Sequence, residues 1–353
     1  MPASLDANCQ RNPTGKRGVN SFFLDLFNLT RKLILVIAMT YTTKLPADNT
    51  HLTPKVLVIL LDGIPADSLE ATSTPNIDRI TAKGRYMRAY VGGDPGTESE
   101  SPTISAVGYQ SMLTGTWANI HHVYDNNVDS PNYEAWDFFR IAKTQRPDLS
   151  TAIYSTWEDN RTKLIGDGLD AAGGHKIDYA VDGLEHMQDQ FPHDKAANYI
   201  KAIDAEVTAR AIAHLGSVGP DLSWLYLQYT DDVGHRYGDS PEMTSAIKLM
   251  DDLMGDVSAA ISERQENHPE DWLILITTDH GRDALTGKDH GGQTIRERTT
   301  WIATNHPNVI AEAEETPAIV DLLPTLLDHL NIHPPQPIAD QLAGRSLLKA
   351  APP

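Results

Sequence analysis

Lys55-Val-Leu-Val-Ile-Leu-Leu-Asp-Gly63 is the stretch that decides the fold. Six branched apolar residues in succession cannot alternate between core and water, so this strand is buried on both faces. That is the condition of a strand in a parallel sheet covered by helices on either side. Working outward, Ser73-Thr74-Pro75 opens a helix to about Lys83, with Gly84 as its stop. A short strand follows at about Tyr86–Val91, then a loop rich in Gly, Pro and Ser at Gly92–Pro102. Ser105–Thr114 reads as a short helix closed by Gly115. Further strands are expected at Thr151–Tyr154, Trp224–Tyr229, Trp272–Thr278 and Thr300–Ala303. Helices fit Asp194–Leu215, Pro241–Arg264 and Ala318–Leu330. This alternation predicts one α/β domain over residues 51–353, a three-layer α/β/α sandwich with a mainly parallel central sheet.

A chain of 353 residues with 40% hydrophobic content can bury one large core. Its 29 basic against 48 acidic residues give a net charge of −19. That argues against a protein that grips nucleic acid through its phosphates, which needs basic surface. Phosphate chemistry on small molecules stays open, because bound cations can reverse the local field. With one cysteine, Cys9, neither an internal disulfide nor a cysteine-rich zinc site can form. Residues 1–50 form a leader. Arg31 and Lys32 precede the apolar run Leu33–Met39, which is too short to span a bilayer but suits a secretory signal, so export is expected. An ordinary disordered N-terminus is the competing reading, and no later segment could cross a membrane.

In an open α/β sheet, ligands bind beyond the carboxyl ends of the strands. Here the first strand delivers Asp62. The strand at Trp224–Tyr229 runs into Thr230-Asp231-Asp232-Val233-Gly234-His235. The strand at Trp272–Thr278 runs into Asp279-His280-Gly281, and Asp289-His290-Gly291-Gly292 lies ten residues on. Any one of these segments is ordinarily a turn or helix cap. Their convergence on one sheet edge is not. Three Asp and three His suit zinc better than an all-oxygen set would, and suffice for two ions with open positions; other divalent metals remain possible.

Such a site needs a nucleophile. Ser105 stands where a loop enters a helix, facing free backbone N–H groups and the positive end of the helix dipole. A serine there is most often an N-cap. Cation coordination nearby would instead activate its hydroxyl. Thr103 is the competing hydroxyl.

Together these segments resemble the alkaline phosphatase superfamily, in particular its nucleotide pyrophosphatase/phosphodiesterase branch, over Val56 to Leu348. The resemblance carries an alkaline phosphatase-like fold. It also implies Asp231, His235 and His290 on one zinc and Asp62, Asp279 and His280 on the other. Ser105, ten residues before Gly115, is the implied nucleophile, Thr103 missing that spacing. The implied activity is hydrolysis of a phosphate ester or nucleotide through a phosphoseryl intermediate. The branch carries a phosphate-contacting Asn three residues after the nucleophile, where this chain has Gly108. Arg161 and Lys163, past the strand at Thr151–Tyr154, are candidate replacements that could grip phosphate. With nine residues between His280 and His290, selectivity falls to the loops Gly92–Ser101 and Asn126–Ala135. The rivals are a phosphomonoesterase, with Arg161 and Lys163 neutralising the extra charge, and a catalytically silent metal- or phosphate-binding protein on this fold. Formylglycine sulfatases are disfavoured because Ser105-Ala-Val-Gly-Tyr109 lacks their Pro and Arg.

Overall fold

The computed structural model describes residues 52–309 and 316–349, so the leader and its expected export signal lie outside the described residues. Seven strands form one sheet: β1 Thr53–Leu61, β2 Arg85–Tyr90, β3 Thr151–Ser155, β4 Tyr179–Val181, β5 Leu222–Leu227, β6 Glu270–Thr277 and β7 Thr299–Thr304. Their order is β2-β7-β6-β1-β5-β3-β4. β1 lies at the centre, parallel to both β5 and β6. Only β7 runs against its neighbours, pairing antiparallel with β6 and β2. The expected mainly parallel sheet is therefore present.

β1 explains the layering. Val56, Val58 and Leu60 face one apolar cluster, and Leu57, Ile59 and Leu61 face another. All six are at most 1% exposed. Full burial of side chains this size is worth roughly 1.5–3 kcal/mol each. The numbered helices are α1 Pro75–Thr81, α2 Ser105–Thr114, α3 Phe138–Gln145, α4 Asn198–Ser217, α5 Tyr229–Tyr237, α6 Pro241–Gln265 and α7 Leu322–His329. Cores of α2, α3 and α7 pack on the first face, those of α1, α4 and α6 on the second.

Two departures from the expected elements bear on function. The strand expected at Trp224–Tyr229 stops at Leu227, and Tyr229–Tyr237 is helix α5. Asp231 and His235 are thus one turn apart on a helix face, not spaced along a loop. Its start is held by Asp204 of α4, whose buried carboxylate accepts the N–H groups of Gln228 and Tyr229 and the Thr156 hydroxyl. Second, Arg161 and Lys163 sit in a five-residue π-helical turn, Asn160–Leu164, absent from the expected pattern.

Candidate active site

The C-terminal ends of β1, β5 and β6 bring Asp62, Asp231, Asp279 and His280 together, and the loop after His280 returns with His290. Asp62, Asp279 and His280 are at most 1% exposed. His280 Nε2 lies 3.1 Å from Asp279 Oδ2, 3.7 Å from Asp62 Oδ1 and 3.2 Å from Ser105 Oγ. Those same two oxygens, Asp62 Oδ1 and Asp279 Oδ2, are buried without any hydrogen-bond partner. Leaving a buried carboxylate oxygen unmatched is costly. A divalent cation is the group this donor set fits.

The second trio adjoins it. His235 Nε2 lies 3.3 Å from Asp231 Oδ2 and 3.1 Å from His290 Nε2, and His290 Nε2 lies 3.8 Å from Asp231 Oδ1. The His280 and His290 rings stack with centroids 3.7 Å apart, so His280 faces both groups. Two clusters of metal-ligand geometry result, Asp62–Asp279–His280 and Asp231–His280–His290. His280 Nδ1 donates to the Gly281 carbonyl and His290 Nδ1 to that of Thr103. Each ring thereby keeps Nε2 free as a ligand atom, the usual outer-shell arrangement of a metal histidine.

Electrostatics follow burial. Burial, then the charges of Asp279 and Asp231, push the Asp62 carboxyl well up. Asp279 is raised to about 7, chiefly by burial. Burial pushes Asp231 up too, but the His235 hydrogen bond and the Arg282 and His280 charges outweigh it and hold the carboxyl low. Burial keeps His280 and His290 below the ordinary imidazole value. Neutral imidazoles are what a cation requires.

Ser105 is not the helix cap. Ile104 occupies the N-cap of α2, and the Ala106 N–H is met by Asn126 Oδ1 from the loop. The Ser105 hydroxyl is left to point at His280. Thr103 is otherwise engaged: its hydroxyl donates to the Gly292 carbonyl and accepts the Gly291 N–H, tying down the loop behind His290. Gly108, where the resemblance implied a phosphate-contacting Asn, packs against β6's end. A Cβ there would lie 2.7 Å from the Asp279 carbonyl oxygen. A side chain at 108 would have to displace the end of β6, and the amide beside Ser105 is that of Asn126.

Arg161 and Lys163 are not brought to this site. Arg161 forms a two-pronged ion pair with Asp182, at 2.5 and 2.9 Å. Lys163 Nζ lies 2.8 Å from Asp159. Neither lines the cavity of about 290 Å³ over Ser105, whose walls include Asn126, Trp157, Tyr226 and Gln228.

Three supporting residues escaped sequence reasoning. Tyr109, one turn after Ser105 on α2, and Tyr226 of β5 both donate to Asp62 Oδ2, leaving Oδ1 as its free oxygen. Arg282, 1% exposed, donates from Nε to the Gly63 carbonyl, from Nη1 to that of Lys288, and from Nη2 to the Asp231 carbonyl and carboxylate. It thus joins the segments around Asp62, Asp231 and His290. Gly234 makes room for it, since a Cβ there would lie 2.2 Å from the guanidinium carbon. The signals were faint: a four-residue spacing, an inward-facing tyrosine, and an arginine directly after Asp279-His280-Gly281.

The family description "Type I phosphodiesterase / nucleotide pyrophosphatase" matches residues 56–345. A venom phosphodiesterase of Naja atra is 23% identical over 246 residues, 65% of this chain and 26% of that protein. The human bis(5'-adenosyl)-triphosphatase is 22% identical over 261 residues, 70% of this chain and 52% of that one. The chain thus spans about a quarter of the length of the venom enzymes it matches. Among solved structures, murine ectonucleotide pyrophosphatase/phosphodiesterase 5, inactive and in complex with AMP, is 15% identical with a TM-score of 0.54, over 80% of this chain and 96% of that one. A putative sulfatase from Bacteroides thetaiotaomicron shares the fold at 14% identity and TM-score 0.58, over 84% of this chain and 74% of that one.

Proposed function

The chain belongs to the type I phosphodiesterase/nucleotide pyrophosphatase family, and on that premise we propose that it hydrolyses phosphodiesters or pyrophosphates of nucleotides with Ser105 as nucleophile. One observation carries the reading: the Ser105 hydroxyl and the unpartnered oxygens of Asp62 and Asp279 meet around His280 Nε2. Asp62, Asp279 and His280 would hold one zinc ion, and Asp231, His235 and His290 the second. Such ions supply Lewis acidity that lowers the pKa of a nearby hydroxyl and offsets charge on phosphate oxygens.

The chain's own residues supply the rest. The start of α2 favours negative charge on Ser105 Oγ as its proton leaves. Attack at phosphorus forms a phosphoseryl bond as the leaving oxygen departs, and water then displaces the serine. Asn126 Nδ2 is available to donate to a phosphate oxygen, since Oδ1 is used by Ala106. Trp157 offers an aromatic wall to a nucleobase or other flat leaving group. The monoesterase rival drew on Arg161 and Lys163, and both already serve carboxylates. The names of the venom and ecto-enzyme relatives also favour export. No helix among the described residues is long and apolar enough to cross a membrane.

The test is turnover of nitrophenyl phosphate, bis-nitrophenyl phosphate and a nucleotide diester by zinc-loaded protein. The diesters should be preferred, and Arg161→Ala should leave the diester-to-monoester ratio unchanged. A preference for the monoester that disappears in Arg161→Ala would restore the monoesterase reading.

A further inference from the structure

At the other end of the sheet, three potential ligands meet that the catalytic reading does not use. β6 begins Glu270-Asp271-Trp272, and strand alternation sets Asp271 on the opposite face from Trp272, the face on which α7 packs. His306 follows β7 on that same face, two and four residues after Thr304 and Ile302. The Asn305 side chain fixes it there by accepting the Ile274 N–H and donating to the Trp272 carbonyl. His329 ends α7. One ligand atom from each of Asp271, His306 and His329 lies within 4.8 Å of the others. We propose that these three side chains form a further binding site for a borderline divalent cation of the zinc type, tying the end of α7 to the lower edge of the sheet.

Two imidazoles and a carboxylate make a three-ligand zinc set whose fourth position is left for water. Zinc bonds of about 2.0–2.2 Å place ligand atoms about 3.3 Å apart. Closure from 4.8 Å is within reach of three half-buried side chains that come from separate elements. His329 Nε2 donates to the Asp271 carbonyl, which fixes Nδ1 as its unprotonated nitrogen. That is the outer-shell bond expected of a metal histidine. No hydrogen bond or ion pair among the described residues occupies the Asp271 carboxylate. Burial, with the neighbouring His329, keeps His306 below its ordinary pKa and so neutral. Among the described residues, the His306 ring makes one hydrogen bond, a long 3.3 Å one that Nδ1 accepts from the Asn308 N–H and that a bound cation would replace. The carbonyl end of α7 also favours positive charge. Eight residues of β6 at about 3.3 Å each put this cluster about 26 Å from Asp279. The two sites can be separated by experiment.

Full-length protein is stripped with chelator, reloaded with excess zinc, desalted and analysed for metal. His329→Ala and His306→Gln should each carry one zinc ion fewer than the wild type, with ester hydrolysis unchanged. Because the comparison is a difference, it does not depend on how many ions the catalytic edge holds. If either variant folds poorly, Asp271→Asn is read the same way. Zinc counts equal to wild type in the folded variants would overturn the proposal. So would a loss of zinc that brings hydrolysis down with it.

Discussion

The two edges of the sheet treat buried charge in opposite ways. At the amino ends of β1 and β6, the network of Lys55, Asp221, Arg264 and Glu270 closes on itself, apart from the half-buried Asp271 on the other face of β6. Lys55 Nζ lies 2.9 Å from Asp221 and 3.6 Å from Glu270. Glu270 also accepts from Arg264 at 2.8 Å and from the Trp272 indole. At the carboxyl ends of the same strands, Asp62 and Asp279 are buried just as deeply and each keeps an unmatched oxygen. The strands are shared, so strand chemistry does not explain the difference. A network closed on itself stabilises the fold, whereas one left open is completed by something that binds.

Substitutions at the two edges should therefore separate activity from stability. The largest effect is expected from His280→Ala, which removes the imidazole facing both ligand groups. It should lower kcat/KM by at least about 10³-fold and reduce bound metal, with the melting temperature little changed. Glu270→Gln at the closed edge should do the reverse. Breaking a buried ion-pair network costs roughly 3–5 kcal/mol, seen in denaturant unfolding, while kcat/KM per folded molecule stays at the wild-type value. A Glu270→Gln enzyme that lost activity but not stability would erase the distinction.

Arg282 sharpens the comparison, because it is a closing charge placed at the open edge. Arg282→Met should weaken metal binding or activity by about 10–100-fold, the range for outer-shell partners. Calorimetry should assign the loss to the ion held by Asp231, and Arg282→Lys should recover only part, since an ammonium cannot span the Gly63, Lys288 and Asp231 carbonyls.

The smallest expected effect is on pH dependence. Burial raises Asp204 to about 7, against the hydrogen bonds it accepts from Thr156, Tyr229 and Gln228. Its folded pKa thus lies above the unfolded value of about 3.9, so protonation favours the folded state. That contribution is complete below about pH 4 and is lost as pH rises through about 7. Asp204→Asn should flatten the melting temperature across this window. An unchanged profile would place the titration elsewhere.

How much of this was legible in the sequence follows from the kind of signal each feature carries. The fold was readable because Val56–Leu61 leaves no choice but a doubly covered strand. The clustering of Asp62, Asp279 and His280 was readable because strand ends place them at one edge whatever the packing in detail. Helix α5 was missed because Tyr229 continues the apolar pattern of β5, and what ends the strand is Asp204, about 25 residues away. Arg161 and Lys163 looked available for phosphate because sequence shows their charge but not the Asp182 and Asp159 that absorb it. The Asn126 loop was singled out for selectivity and Trp157 lies just past β3, but that both wall the cavity over Ser105 depends on loop closure, which local pattern does not encode.

The central claim is that Ser105 is the group left free at the open edge. The direct measurement is acid quenching during turnover of a diester, followed by peptide mapping of the phosphorylated residue. The phosphate should be found on the peptide carrying Ser105, and Ser105→Ala should lose both the label and the activity. Phosphate on Thr103, or turnover that persists in Ser105→Ala, would contradict the account.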